Sequence, residues 1–269
     1  MKKYLITILT LALLSACSKD NAEYLFGEYL TPEQALLSDI NISISEQFVY
    51  EKTEPTEDEG FFLNIQTIDN YPCCNYGIQR TVIQEGSTLI IRLEDVIKPS
   101  ICLTAIGPAT TTVKVPEGIS RIVFLRGEDE DYFDFDVTNK EMNLYPVSAS
   151  FSTSDFITYY RRPKNSFAFI CGTTEDTQYI YHAFLEELKK ISSVKELTFG
   201  EGLLPWPEST NGYWVDFPTR FFTYDKPEDF VKVYELFCRF AQRELKNKQG
   251  VGLSLYDWND ICYNSWEVQ

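Results

Sequence analysis

Histidine is nearly missing from this chain: His182 is the only one in 269 residues. Any Ser-His-Asp or Cys-His mechanism must therefore run through it. On a helical wheel His182 falls about 160° from Phe184, near the centre of the polar face, and reads as a solvent-exposed helix residue. No C-x2-C pair is present, so a zinc site lacks ligands, and no metal is expected. A Gly-rich phosphate loop is also missing, because Gly200-Glu201-Gly202 has none of the partners such a loop needs. No cofactor is expected either. Basic residues are few, with 24 Lys and Arg against 40 Asp and Glu and a formal charge of −16. A chain this acidic cannot neutralise phosphates, which excludes nucleic-acid binding. No stretch reaches the roughly 20 apolar residues of a transmembrane helix.

Carboxylates are abundant, and two chemistries use them. Glu128-Asp129-Glu130-Asp131, followed by Asp134 and Asp136, offers oxygen ligands of the kind calcium takes. The run lacks the D-x-[DN]-x-[DN]-G loop pattern. It reads as a solvated hairpin tip leading into the outer face of a strand. Paired carboxylates also support glycoside hydrolysis, but forty acids make such pairs inevitable, so a small carboxylate-dependent hydrolase acting on glycans stands only as an alternative.

The N-terminus carries the most specific pattern. Lys2 and Lys3 form a short basic region, and Tyr4 to Leu14 an apolar one broken only by Thr7 and Thr10. It has the length and flanks of a secretory signal. Leu14-Ser15-Ala16-Cys17 resembles the lipobox of bacterial lipoproteins, and Ser18-Lys19-Asp20-Asn21 resembles the polar tethers of Bacteroidota surface lipoproteins. The resemblance covers this segment alone. It implies cleavage before Cys17, acylation of Cys17, and a membrane partner reached through that lipid. The expected location is the cell envelope, at the periplasmic or outer face of the outer membrane. Several acyl chains give a stable anchor where one is marginal. Losing Lys2 and Lys3 with the leader takes the formal charge from −16 to about −18. The acyl anchor, not a basic patch, then holds the protein at the membrane.

Setting Cys17 aside leaves Cys73, Cys74, Cys102, Cys171, Cys238 and Cys262 in a compartment that permits disulfides. Pairing of Cys102 with Cys73 or Cys74 stays within one domain. Adjacent Cys73 and Cys74 cannot both bond Cys102.

The chain divides as leader (1–16), tether and short helix (17–39), β-rich domain (40–147), linker (148–165) and α+β domain (166–269). Thr31-Pro32-Glu33-Gln34 marks the start of the short helix. Strands are predicted at 42–51, 61–68, 77–84, 87–97, 110–116, 120–126, 131–138 and 141–147, separated by turn residues. Phe133, Phe135 and Val137 alternate with Asp134 and Asp136. So many short strands without a helix predict an antiparallel β-sandwich of immunoglobulin-like topology. After 166 the pattern is strand (167–171), helix (175–191), strand (194–199), strand (213–224), helix (227–246), strand (250–256). Asp225 and Glu228 suggest a capping box for the second helix. This βαββαβ order resembles a ferredoxin-like α+β fold.

Aromatic residues gather on loops. Trp206, Tyr213 and Trp214 lie on or beside the long loop 201–212, and Trp258, Tyr263 and Trp266 crowd the tail. Trp206, Tyr213 and Trp214 are the candidate ligand contacts, suited to stacking on a sugar or anchoring a protein. The competing assignment is that such aromatics cover the sheet face the helices leave bare. The sequence thus points to a non-catalytic binding module, with an envelope-complex subunit as a further alternative.

Overall fold

The computed structural model describes residues 36–47, 59–206 and 215–268; side chains of Val215 and Asp216 are not among them. The expected short helix at 31–39 falls mostly outside the described residues, as does Cys17. Among the described residues no helix is long and apolar enough to cross a membrane.

The first eight strands are β1 (Ile40–Gln47), β2 (Gly60–Tyr71), β3 (Gly77–Glu85), β4 (Thr88–Ile97), β5 (Gly107–Val115), β6 (Arg121–Arg126), β7 (Asp129–Val137) and β8 (Glu141–Ser148). Two short strands follow, β9 (Ser152–Thr153) and β10 (Thr158–Tyr160). All ten join one mixed sheet in the order β10-β8-β7-β6-β4-β3-β5-β2-β1-β9. The expected immunoglobulin-like sandwich is therefore overturned. A sandwich needs two sheets, and here a single sheet curls into a half-barrel and packs its concave face against itself. Ile42, Leu63, Leu89, Ile122, Phe133, Leu144 and Tyr159, from seven strands spread across it, share one core. Register shifts at Gln66/Asn70, Gln79/Arg80 and Tyr132/Phe133 bend the strands where curvature is needed. Parallel pairing of β3 with β5 and of β4 with β6 also departs from the antiparallel expectation.

The stretch 148–165, expected as a linker, supplies β9 and β10, which lie at opposite edges of this sheet. Asp131 fixes the connection from β8 into β9. Its Oδ1 accepts from the Ser150 amide at 2.7 Å, and its Oδ2 from the Phe151 and Ser152 amides at 3.0 and 2.8 Å. The Ser150 and Ser152 hydroxyls donate as well. Asp131 is fully buried, so its placement corrects the reading of the whole acidic run as a solvated tip. Burial pushes its carboxyl pKa up, but the Ser152 hydroxyl and the donors of Ser150 and Phe151 outweigh that and hold it below the usual value. The other acids of the run are exposed or ion-paired: Arg126 binds Asp129, and Arg121 binds Asp134 at 2.9 Å.

The second unit holds β11 (Ser166–Thr173), α1 (Tyr179–Leu188), β12 (Val194–Leu197), β13 (Val215–Asp216), β14 (Arg220–Tyr224), α2 (Pro227–Phe240), β15 (Gly252–Asp257) and β16 (Cys262–Asn264). The helices and four of the strands follow one another as predicted, but the plain four-stranded ferredoxin-like sheet is corrected. The sheet has six strands, ordered β12-β14-β11-β15-β16, with β13 pairing β11 beyond the end of β14. The strand predicted at 213–224 is broken at Phe217-Pro218-Thr219, because proline cannot donate to the ladder. The tail forms an extra edge strand on β15. Helix α2 starts at Pro227, as predicted, but its N-cap is Lys226, one residue after the expected Asp225, and no capping side chain is bonded. A π-helical turn at Ala241–Leu245 continues it.

Both helices lay apolar stripes on one face of this sheet. Ile180, Phe184 and Leu188 from α1 meet Val233 and Phe237 from α2 over Phe167 and Phe169. Phe184 packs on Phe169 with ring centres 4.7 Å apart. Burying each such ring contributes up to about 3 kcal/mol.

The two units share backbone hydrogen bonds. Leu203 runs beside β10, its amide donating to Thr158 O at 2.8 Å and its carbonyl accepting from Tyr160 N at 2.9 Å. Gly202 makes this approach possible: with φ at +149°, a Cβ there would stand 2.6 Å from the Thr158 carbonyl oxygen. Arg162 adds a bond to the Pro205 carbonyl and an ion pair with Asp260.

Candidate binding groove

The helices cover one face of the second sheet, and strand alternation decides what is left on the other. Leu197 on β12 pairs with Phe221 on β14, and Phe221 pairs with Ala168 on β11. These residues form the bare face. Trp206 lies over it, stacked on Phe221 at 5.4 Å, with its indole N–H reaching toward the Asp257 carbonyl at 3.5 Å. Trp206 is only 3% exposed. It seals the face and supports whatever lies above instead of offering its own ring to solvent. Tyr213 and Trp214 lie outside the described residues.

Beside this seal opens a groove of about 490 Å³. Phe156, from the connection between β9 and β10, forms one wall; Phe199 and Leu204 form another; Phe221 lies in the floor. Phe199 stands edge-on to Phe221 at 5.1 Å and packs against Tyr160 at 5.0 Å. The Tyr160 hydroxyl accepts from the Gly200 amide at 3.0 Å, fixing the loop that carries Phe199. Phe156 is 37% exposed and Phe199 is half-buried, so both present ring surface to the groove. Phe199, at the end of a short predicted strand, has no distinguishing sequence signal; Phe156 follows the small polar run 148–154 in the expected linker, where with Ile157, Tyr159 and Tyr160 it marks a segment that packs.

A second hollow of about 200 Å³ lies on the helix side of the same sheet edge, lined by Tyr181, His182, Glu186 and Lys189. Glu196 and Arg220 border both hollows, and Arg220 Nε donates to Glu196 Oε1 at 2.6 Å. His182 is exposed, as the wheel placed it, and lies edge-on to Phe217 at 5.7 Å. The Tyr181 hydroxyl donates to Pro218 O at 3.0 Å, and burial pushes its pKa up.

Two carboxylates line each hollow, Glu196 with Glu201 in the first and Glu186 with Glu196 in the second, and both Glu196 and Glu186 are held by cations, Arg220 and Lys189. Asp257 is the one carboxyl held above its ordinary pKa among those with a resolved shift, burial being the main cause, against bonds from Ile261 and Asn259. It closes the 257–261 turn and borders neither hollow. No group of three or more His, Cys, Asp or Glu side chains among the described residues is placed to hold a metal ion.

Cys73 is bonded to Cys102, with Cα atoms 5.3 Å apart; Cys74 is free and exposed. In the tail, Tyr263 packs on Tyr234 at 4.9 Å, Lys164 lies over Trp258 at 5.8 Å, and Trp266 is exposed.

No protein-family model, curated protein or solved structure matches the chain.

Proposed function

We propose that this is a lipid-anchored protein of the cell envelope, acylated at Cys17, that acts as a non-catalytic binding module. The groove between Phe156 and Phe199 is its ligand site. One observation carries the reading: three phenylalanines from two separate units line a groove whose bare-face wall is already sealed by a buried tryptophan. Exposed ring faces beside an ion pair suit a ligand with apolar faces and polar edges, which describes both a sugar ring and a protein segment. The acidic hydrolase alternative loses support because the carboxyl with the raised pKa is engaged in a turn away from the groove.

A glycan array probed with the full chain, beside capture of partners from envelope extract, tests the ligand assignment. Phe156→Ala and Phe199→Ala should each weaken binding at least tenfold; Phe156→Ala should leave the thermal midpoint within about 2 °C, whereas Phe199→Ala also loses its packing on Tyr160 and Phe221 and should lower it further. Binding to neither glycan nor partner sinks the reading. For the anchor, Cys17→Ala should release the protein from washed membranes, and retention of that variant equal to that of the wild type overturns acylation as the means of attachment.

A further inference from the structure

One end of the first sheet breaks the usual pattern of polar surface. The loop 98–106 between β4 and β5 carries Ile101, Leu103 and Ile106 outward, Ile101 and Ile106 being 76% and 78% exposed. Ile97 and Ile68 beside it are half exposed or more. Ile68 and Ile97 end up adjacent to the loop because β2 and β4 both run toward this end, Tyr71 pairing with Gly107 and Ile97 with Gly77. Contiguous exposed aliphatic surface of this kind marks a contact site.

The loop is held firmly. Cys73–Cys102 ties it to the β2–β3 connection, the Asn75 amide donates to Ile101 O at 2.7 Å, and Leu103 N donates to Asn75 Oδ1 at 3.1 Å. The apolar side chains are thus fixed in an outward position.

Charge sharpens the assignment. In a chain with 40 Asp and Glu, residues 96–116 contain none; Lys98 and Lys114 are the only charges there. Asp95 precedes Ile97 on β4 and Asp39 is paired with Arg126, while Asp69 follows Ile68 on β2 at the rim of the tip. The exposed tip also lacks the Trp, Tyr and Arg that dominate protein-binding hot spots; Tyr71 and Tyr76 stack on each other at 5.0 Å behind it.

The chain joins the fold at this same end. Ile40 pairs with Thr67, Ile68 N donates to Asp39 O at 2.8 Å, and Leu37 is 94% exposed beside them. From Cys17 to Leu36 the backbone spans at most about 65 Å. A lipid on Cys17 is thus tethered to the same end of the sheet that carries Ile101 and Ile106.

We propose that the tip formed by Ile68, Ile97, Ile101, Leu103 and Ile106 seats in the interface of a zwitterionic bilayer, as a second membrane contact beside the lipid. Its orientation rests on the Cys17 anchor; the insertion of the side chains does not. A surface this acidic overall disfavours anionic headgroups, and the loop 98–106 carries no carboxylate, its one charge being Lys98, whose long stem lets the ammonium stay among the headgroups.

The test uses the full lipidated chain with phosphatidylcholine–phosphatidylethanolamine vesicles containing acyl-chain-brominated lipid. Ile101→Trp adds an indole at the tip, and Ser87→Trp adds one on the hairpin at the opposite end of β4. The emission added by Ile101→Trp should fall by at least half on brominated vesicles, and that added by Ser87→Trp should not change. Equal behaviour of the two overturns the proposal, whether or not vesicles retain the chain. Retention, compared with that of Cys17→Ala, reports separately on the anchor. Ile101→Asp with Ile106→Asp, applied to the Cys17→Ala chain, should lower vesicle partition at least tenfold. Unchanged partition, or a self-associated form in solution that these substitutions abolish, likewise overturns it and assigns the tip to something other than lipid.

Discussion

Arg161 grips Glu46 with one edge of its guanidinium, Nε to Oε1 at 2.9 Å and Nη2 to Oε1 at 2.5 Å, joining the residue after β10 to β1. β10 and β1 lie near opposite ends of the ten-stranded order, so this pair closes the half-barrel. Tyr159 does the same from the core side, its hydroxyl donating to Ile42 O at 3.2 Å. The Glu46 side chain is only 9% exposed and that of Arg161 27%. A forked, partly buried pair is worth more than a surface ion pair. Glu46→Gln should cost about 2 kcal/mol and lower the thermal midpoint by roughly 4–8 °C. Calorimetry of Glu46→Gln, Arg161→Ala and the double variant measures it; strictly additive losses would show that the pair contributes no coupling.

Asp131 makes a stronger prediction, because its oxygens answer three backbone amides at once. Asn at this position would keep one acceptor and turn a donor toward the Phe151 and Ser152 amides. Asp131→Asn should destabilise the chain by about 3 kcal/mol, read from urea midpoints. The pH dependence has a fixed sign. The folded pKa lies below the unfolded value near 3.9, so the stabilisation is complete above that value and is lost as pH falls through the folded pKa. The wild type should therefore lose more stability on acidification below about pH 4 than Asp131→Asn does.

Asp257 is predicted to behave in the opposite way. Its Oδ1 accepts from Asn259 N at 2.9 Å and Ile261 N at 3.0 Å, but burial dominates and raises its pKa. Here the fold favours the protonated form. The contribution is favourable at low pH and is lost as pH rises through the folded pKa. An amide preserves the acceptor and carries no charge, so Asp257→Asn at pH 7 should change stability by less than about 1 kcal/mol, in contrast with Asp131→Asn. A loss as large as that of Asp131→Asn would show that the charge on Asp257 is itself stabilising.

Strand positions were readable to within a few residues. The predicted 77–84 and 120–126 correspond to Gly77–Glu85 and Arg121–Arg126. Alternation such as Phe133, Phe135 and Val137 reports which side chains turn inward, and that depends only on the two-residue period of a strand. It does not report which strand pairs with which. A curled sheet buries its concave face just as a sandwich buries two inner faces, so both produce the same pattern. The closing contacts, Glu46 with Arg161 and Asp131 with 150–152, join residues 115 and about 20 positions apart with no local signature. For the site, Trp206 takes the competing assignment, covering the sheet face that the helices leave bare, and not that of a ligand contact. Phe156 and Phe199 form a groove only because Leu203 pairs with β10, and that pairing depends on Gly202, whose sequence context shows no turn or strand signal.

The disulfide offers a last test, linking stability to the exposed tip. Cys73 and Cys102 are 29 residues apart. Closing a loop of that size restricts the unfolded chain, and removing the bond should cost about 3–4 kcal/mol. Cys102→Ser should therefore lower the urea midpoint, and the wild type treated with reductant should fall to the same value. Cys74 neighbours Cys73 and is free and exposed, so Cys73→Ser poses a sharper question. If Cys74 can replace its neighbour in bonding Cys102, Cys73→Ser will retain much of the stability that Cys102→Ser loses. Cys73 is buried and Cys74 is exposed. Bonding through Cys74 would draw its side chain across the Gly107 backbone, which already lies close to it. The expected result is that Cys73→Ser and Cys102→Ser lose equal stability and that mass spectrometry of Cys73→Ser finds two free thiols at Cys74 and Cys102. A Cys74–Cys102 bond in that variant, with stability preserved, would show that the tip tolerates either partner and that its shape is set by the Asn75 hydrogen bonds instead.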